Sequence, residues 1–217
     1  MIIRSGLIRN RDNIDFAAFS EHWRHVHGPL ALRVEAMRAY RQNHIAARLD
    51  APHGDRLHRV DGLSQLWFDD VEAMRVAMNS PEQQACIEDI RGFLSEVTLL
   101  IQQEGETRRH GADNRLPMKL IYLLAGSEAE IEAAVEALFA ALASSSECTA
   151  IRINPVIDRN FSVDSTVSSG SQIIDAVLEI WLPEGETSAV AQRVLTDSAG
   201  VGIVGAFQAD EVILKSA

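Results

Sequence analysis

The sequence predicts an α+β protein made of two successive βαββαβ units, each an antiparallel sheet with helices on one face, the two sheets packing together. Three observations carry this. Short apolar runs alternate with segments of helical periodicity in the order strand, helix, strand, strand, helix, strand. The order recurs after a polar, aperiodic stretch at residues 107–115. Leu66-Trp67-Phe68-Asp69 reappears as Ile180-Trp181-Leu182-Pro183, with Gln65 matching Glu179, which marks an internal duplication.

Met1 to Arg9 reads as the first strand, and Asn10 to Asn13 as a turn that supplies caps for a helix from about Ile14. Phe16, Phe19 and Trp23 then fall at helical spacing, followed by His27-Gly28-Pro29-Leu30 and a second apolar set, Leu30, Val34 and Met37. Pro29 has no N–H and disfavours helical angles at Gly28, so one helix is expected to end near His27 and another to run from Pro29 to about Arg38. Ala39–Ala46 and Asp61–Phe68 are strands, with Tyr40, Gln42 and His44 on one face of the first and Leu63, Gln65 and Trp67 on one face of the second. Asp69-Asp70 and Ser80-Pro81 start two helices, and Phe93–Gln103 is a strand. The second unit follows as strand Met118–Ala125, helix Glu128–Ala143, strands Thr149–Ile157 and Ile173–Leu182, a helix through Val190–Val194, and strand Val204–Leu214. The expected organisation is a first repeat at 1–106 carrying the polar site, a linker at 107–116, and a degenerate repeat at 117–217 acting as its structural mate.

The chain has 217 residues, 47% hydrophobic and 24% charged, the profile of an ordinary globular protein. Twenty Lys and Arg against 31 Asp and Glu give a net charge of -11, which argues against nucleic acid or anionic membrane as partner. Arg4, Arg9 and Arg11 interrupt the first apolar run, so no signal-peptide core is read there, and no run spans a bilayer. Cys86 and Cys148 have no metal or redox spacing and fit a reducing cytoplasm.

Stepping ~100° per residue from Phe16 puts Phe19, Trp23, Val26, His27 and Leu30 in one arc, with His25 nearly opposite. His27 is therefore the inward histidine. The plain alternative is a core-edge histidine satisfied by a carbonyl, and Tyr40 and Trp67 are equally readable as core aromatics. All seven histidines precede Arg115. Asp69-Asp70 reads as a helix start, and His53 and His58 lack the compact spacing of a metal site. There is no phosphate loop, dinucleotide fingerprint or nucleophile elbow, and Ser168–Ser171 reads as a loop.

Phe19, Trp23, His27-Gly28-Pro29-Leu30, Tyr40, Gln42-Asn43-His44, Asp61-Gly62 and Trp67-Phe68, taken as an ordered set over roughly the first half of the chain, resemble the EthD family. That resemblance implies the ferredoxin-like fold of the dimeric α+β barrels. A duplicated chain would make the barrel intramolecularly, as a pseudo-dimer with room for a homodimer of the whole chain. Cofactor-free members of the superfold include lactone isomerases, cyclases and decarboxylases. The resemblance thus implies a lyase or isomerase acting on a small cyclic or polyketide-like acid, without metal or cofactor. His27 would shuttle protons, Tyr40 and His44 would orient substrate, and Phe19, Trp23, Gln42, Gln65 and Trp67 would line its cleft. The alternatives are a non-catalytic protein that holds a hydrophobic ligand, and a haem-binding or monooxygenase-type barrel.

Overall fold

The computed structural model describes residues 1–111, 116–145, 149–161, 172–183 and 189–216. The Ser168–Ser171 loop, Cys148 and part of the expected linker lie outside them. The first repeat runs β1 (Ile2–Asn10), α1 (Phe16–His22), a π-helical turn (Trp23–His27), α2 (Gly28–Ala31), β2 (Ala39–Arg48), β3 (Gly62–Phe68), α3 (Val71–Met78), α4 (Pro81–Phe93) and β4 (Leu94–Gln103). After β5 (Arg108–His110), the second comprises β6 (Met118–Ala125), α5 (Glu128–Ser145), β7 (Thr149–Asp158), β8 (Ala176–Leu182), α6 (Ala189–Asp197) and β9 (Gly202–Lys215).

The sheet orders are β4-β1-β3-β2 and β9-β6-β8-β7, the same arrangement twice. Pairing of β2 with β9 and of β4 with β7 closes eight antiparallel strands into a barrel with helices outside. The stretch expected to be linker is partly ordered. Arg108–His110 pairs with Thr149–Ile151 on the edge of β7, whose other end is held by β4.

Three local features differ from the sequence reading. The Gly-Pro pair does not end a helix. Gly28 keeps helical angles (φ -53°, ψ -53°), and its N–H reaches back to the Trp23 carbonyl across a π turn. The wider turn gives the Pro29 ring room against the preceding turn, where a proline otherwise clashes and has no N–H to donate. It also slows the angular advance of the helix, which leaves Val26 exposed while His27 stays buried. The helix ends at Ala31 rather than near Arg38, and the N-cap is Asp15, whose carboxylate accepts from the Ala18 N–H at 2.8 Å. The caps Asp70 and Ser80 are as expected.

Apolar packing fills the helix–sheet layer of each repeat and one end of the barrel, where Leu7, Leu63, Leu100, Ile121, Val177 and Phe207 meet. The other end of the barrel is ionic. Lys119 and Glu179, both essentially inaccessible, pair at 2.7 Å. Arg152 donates to the second Glu179 oxygen through Nε (3.0 Å) and Nη2 (2.7 Å), and Asn154 donates to it at 2.8 Å. Lys119 also reaches Glu211 at 2.6 Å. Burial alone would raise the Glu179 carboxyl, but the two cations hold it far below the usual carboxylate range. No helix among the described residues is long and apolar enough to cross a membrane.

Candidate active site

The strand register decides which polar groups meet. Tyr40 pairs with Leu66 and Gln42 with Ser64, so these four look toward the helices. Gln65 and Trp67 fall on the opposite side, inside the barrel. There Gln65 Oε1 accepts from Asn43 at 3.0 Å, and the Trp67 indole N–H donates to Glu104 at 2.8 Å. The eight residues expected to form one cleft are therefore split. Phe19, Trp23, His27, Tyr40, Gln42 and His44 lie between helix and sheet, whereas Gln65 and Trp67, like Leu63, belong to the barrel interior.

Close approach of α1 and the π turn to the sheet depends on small residues. A Cβ on Gly62 would lie 2.4 Å from Trp23 Cζ3, so glycine there lets the indole rest on β3. Trp23 stacks on Phe19 (5.5 Å between ring centroids) and against His44 (4.5 Å). Its carbonyl, in the widened turn, accepts from Gln42 Nε2 at 2.8 Å.

From Gln42 the bonding runs both ways. Gln42 Nε2 also donates to the Tyr40 hydroxyl oxygen at 3.0 Å, which leaves Gln42 Oε1 to accept from His44 Nε2 at 3.2 Å. His44 Nδ1 is then the acceptor for the Ser20 hydroxyl at 2.8 Å. Burial, helped by the nearby Arg24 charge, lowers the His44 pKa to about 4, so this imidazole is neutral at physiological pH. Burial likewise pushes the Tyr40 phenol well above its ordinary value, with hydrogen bonding to Gln42 and Trp23 opposing it. Tyr40 is thus a neutral phenol whose oxygen already accepts from Gln42, and its own O–H hydrogen has no acceptor among the described residues.

His27 Nδ1 lies 2.9 Å from Asp89 Oδ2, and His22 Nε2 lies 2.9 Å from Asp89 Oδ1. Burial works against the Asp89 charge, but bonding to His27 and then His22 outweighs it and leaves the carboxyl below its ordinary pKa. An ionised Asp89 accepts, so His27 carries its proton on Nδ1, and Nε2 has no hydrogen-bond partner among the described residues. Phe93 packs on both imidazoles, with centroids 5.4 Å from His27 and 4.7 Å from His22. His25 is exposed beside Glu21.

His27 and Tyr40 line one inner cavity of about 40 Å³, walled by Trp23, Phe93 and Leu99 among others. Arg4, Gln83 and Leu99 are shared with an outer cleft of about 540 Å³ between α3, α4 and β4. His44 lines neither and supports Tyr40 through Gln42. Asp89, Arg4 and Gln83 were missed by the sequence reading. Arg4 was visible as a charge inside an apolar strand, and Asp89 as an acid three residues after Cys86 and four before Phe93. Among the described residues no group of three or more His, Cys, Asp or Glu is placed to hold a metal ion.

Two ferredoxin-like repeats closed into one barrel, with a polar cleft under the helices of the first, define a single-chain member of the dimeric α+β barrel fold. Residues 11–96, within the first repeat, match the EthD domain. An anthrone oxidase-like protein superposes with a TM-score of 0.57 at 9% identity, over 98% of this chain and 92% of its own. A variant of the chlorite dismutase of Candidatus Nitrospira defluvii gives 0.53 at 6% identity, over 98% and 92%. A provisionally named monooxygenase of Lactobacillus acidophilus NCFM gives 0.50 at 12% identity, over 99% and 94%. At these identities the likeness is one of fold alone. No curated protein matches the chain in sequence.

Proposed function

We propose that the chain is a cofactor-independent proton-transfer enzyme of the lyase or isomerase type, acting on a small cyclic or aromatic carbonyl acid in the cleft of the first repeat. The observation that carries this is the pairing of a free His27 Nε2, oriented by Asp89, with the neutral hydroxyl of Tyr40 on the wall of one cavity. His27 Nε2 takes a proton from the carbon next to the substrate carbonyl, and Asp89 stabilises the imidazolium that forms. Tyr40 donates its O–H hydrogen to the carbonyl oxygen as that oxygen gains enolate charge, held in place by Gln42 and, through it, by His44. Return of the proton to another carbon gives isomerisation, and its delivery to a leaving group gives elimination. In this reading residues 1–106 carry the chemistry and 117–217 complete the barrel, their helix–sheet layer being filled by Leu120, Leu124, Ile131, Val135, Leu138 and Leu178.

The reading is tested by following deuterium uptake from heavy water into a panel of unsaturated lactones and cyclic keto acids. Wild-type protein is expected to exchange the proton beside the carbonyl of at least one member, and His27→Gln to lose that exchange. Uptake that is indifferent to His27 refutes it. The narrowness of the inner cavity, about 40 Å³, favours as second reading a binding protein whose ligand stops in the outer cleft. It would bind panel members tightly without exchanging them.

A further inference from the structure

Arg4 is a buried cation without an anion. It stands on β1 opposite Leu66 and Ile101, two core residues of the helix–sheet layer, and so points toward α4. Only 9% of it is exposed. Its guanidinium donates no hydrogen bond and forms no ion pair among the described residues, and the titratable groups that feel its charge, Cys86 and Tyr40, are not anions. The Cys86 thiol, which lies close enough to feel the Arg4 charge, is pushed by burial up to about 11 and is therefore not a thiolate. Burial lowers Arg4 itself only to about 10, so it stays charged at neutral pH.

Beside it Gln83 is 6% exposed, and its side-chain amide also has no hydrogen-bond partner among the described residues. Its backbone N–H is the group that Ser80 caps. Arg4 and Gln83 both line the inner cavity and the outer cleft, at the point where the walls of the two coincide. Both keep polar atoms open to that space rather than sealed in the packing, and a largely buried cation without an ion pair is costly. Met74, Met78, Ile87, Leu99 and Phe161 give that cleft an apolar wall, and Arg75, Asn79, Ser80 and Gln84 line the rest of it.

We propose that Arg4 and Gln83 form the carboxylate subsite of the cleft, so that its ligand is an apolar ring compound carrying one carboxylate. The guanidinium fork takes the two carboxylate oxygens side by side, the Gln83 amide adds a third hydrogen bond, and the methionine and phenylalanine walls cover the ring. This rests on the reading that the cleft of the first repeat is the reaction site, and it names the substrate class for that site. Arg4 binds and positions, and the proton chemistry stays with His27.

Binding is measured by calorimetry with 2-naphthoate, its neutral amide and inorganic phosphate as probes. Wild-type protein is expected to bind 2-naphthoate at least ~10-fold more tightly than the amide. Arg4→Met is expected to lose at least ~30-fold of that affinity and Arg4→Lys, which lacks the fork, an intermediate amount. Arg4→Met is also expected to melt no lower than wild type, because it removes an unpaired buried charge, whereas a structural role for Arg4 would lower the midpoint. Should Arg4→Met fail to fold, the comparison of carboxylate with amide on wild-type protein still decides. Equal affinity for acid and amide, tighter binding of phosphate than of naphthoate, or naphthoate binding that survives Arg4→Met overturns the subsite. Failures of the two readings separate cleanly. Arg4-dependent naphthoate binding without deuterium exchange in any substrate sinks the acid–base reading alone. His27-dependent exchange that ignores Arg4 sinks the subsite alone.

Discussion

Replacing Asp89 by asparagine keeps the shape of the side chain and removes its charge. Asp89 accepts from two imidazoles at 2.9 Å each, with 14% of its side chain exposed. Hydrogen bonds to a charged group contribute ~1.5–3 kcal/mol each, and asparagine can still accept one. The expected loss of stability is therefore about 2 kcal/mol at neutral pH, read by urea denaturation. The folded carboxyl lies below its unfolded pKa, so its contribution is full above the ordinary carboxylate range and fades as pH falls through the folded value. The gap between Asp89→Asn and wild type should close in acid. The effect on chemistry is larger. An asparagine N–H directed at His27 Nδ1 forces the proton onto Nε2 and abolishes the base, and general base catalysis contributes ~10²–10⁴-fold. Deuterium exchange by Asp89→Asn should fall by that order. Exchange at the wild-type rate, with His27→Gln silent in the same assay, would mean that His27 acts without the orientation assigned to Asp89.

Other outcomes follow from the same packing. His44 has a folded pKa of about 4 against 6.5 unfolded, so the native ring stays neutral while the unfolded chain gains the proton. Its contribution is full above the unfolded value and is lost as pH falls toward the folded one, by about 2 kcal/mol after allowing for partial solvent access. His44→Gln should flatten that part of the stability–pH curve. Gly62→Ala puts a methyl 2.4 Å from Trp23 and should cost about 1–3 kcal/mol with a change in Trp fluorescence, against little effect at Gly92, where nothing lies within 4 Å. Glu179→Gln leaves Lys119 and Arg152 buried beside a neutral partner and should cost about 3–5 kcal/mol in urea, without altering ligand binding under the helices.

The repeat pattern was legible because strand alternation and helical period are short-range signals, and the Trp67 and Trp181 segments occupy matching strands. Phase placed His27 inward, and alternation put Tyr40, Gln42 and His44 on one face. Gln65 and Trp67 were misplaced because their face depends on the register of β3 against β2, where a slip of one residue inverts every side chain. The π turn was hidden because Gly-Pro reads locally as a break, and only the carbonyl of Trp23, bonded to Gly28 and Gln42, shows how the helix continues. Asp89 is 62 residues from His27 in sequence. Its position on α4 among Cys86, Ile90 and Phe93 was the available clue.

In the proposed chemistry His27 presents an unprotonated Nε2 to the cavity it shares with Tyr40. Long-range ¹H–¹⁵N correlation spectra of the histidine rings, assigned with His27→Gln, test this directly. The expected spectrum shows the Nδ1–H tautomer for His27, with an Nε2 resonance that moves when 2-naphthoate fills the cleft. A His27 found as the Nε2–H tautomer, unmoved by ligand, would leave the cleft without its base and rule out the proposed chemistry.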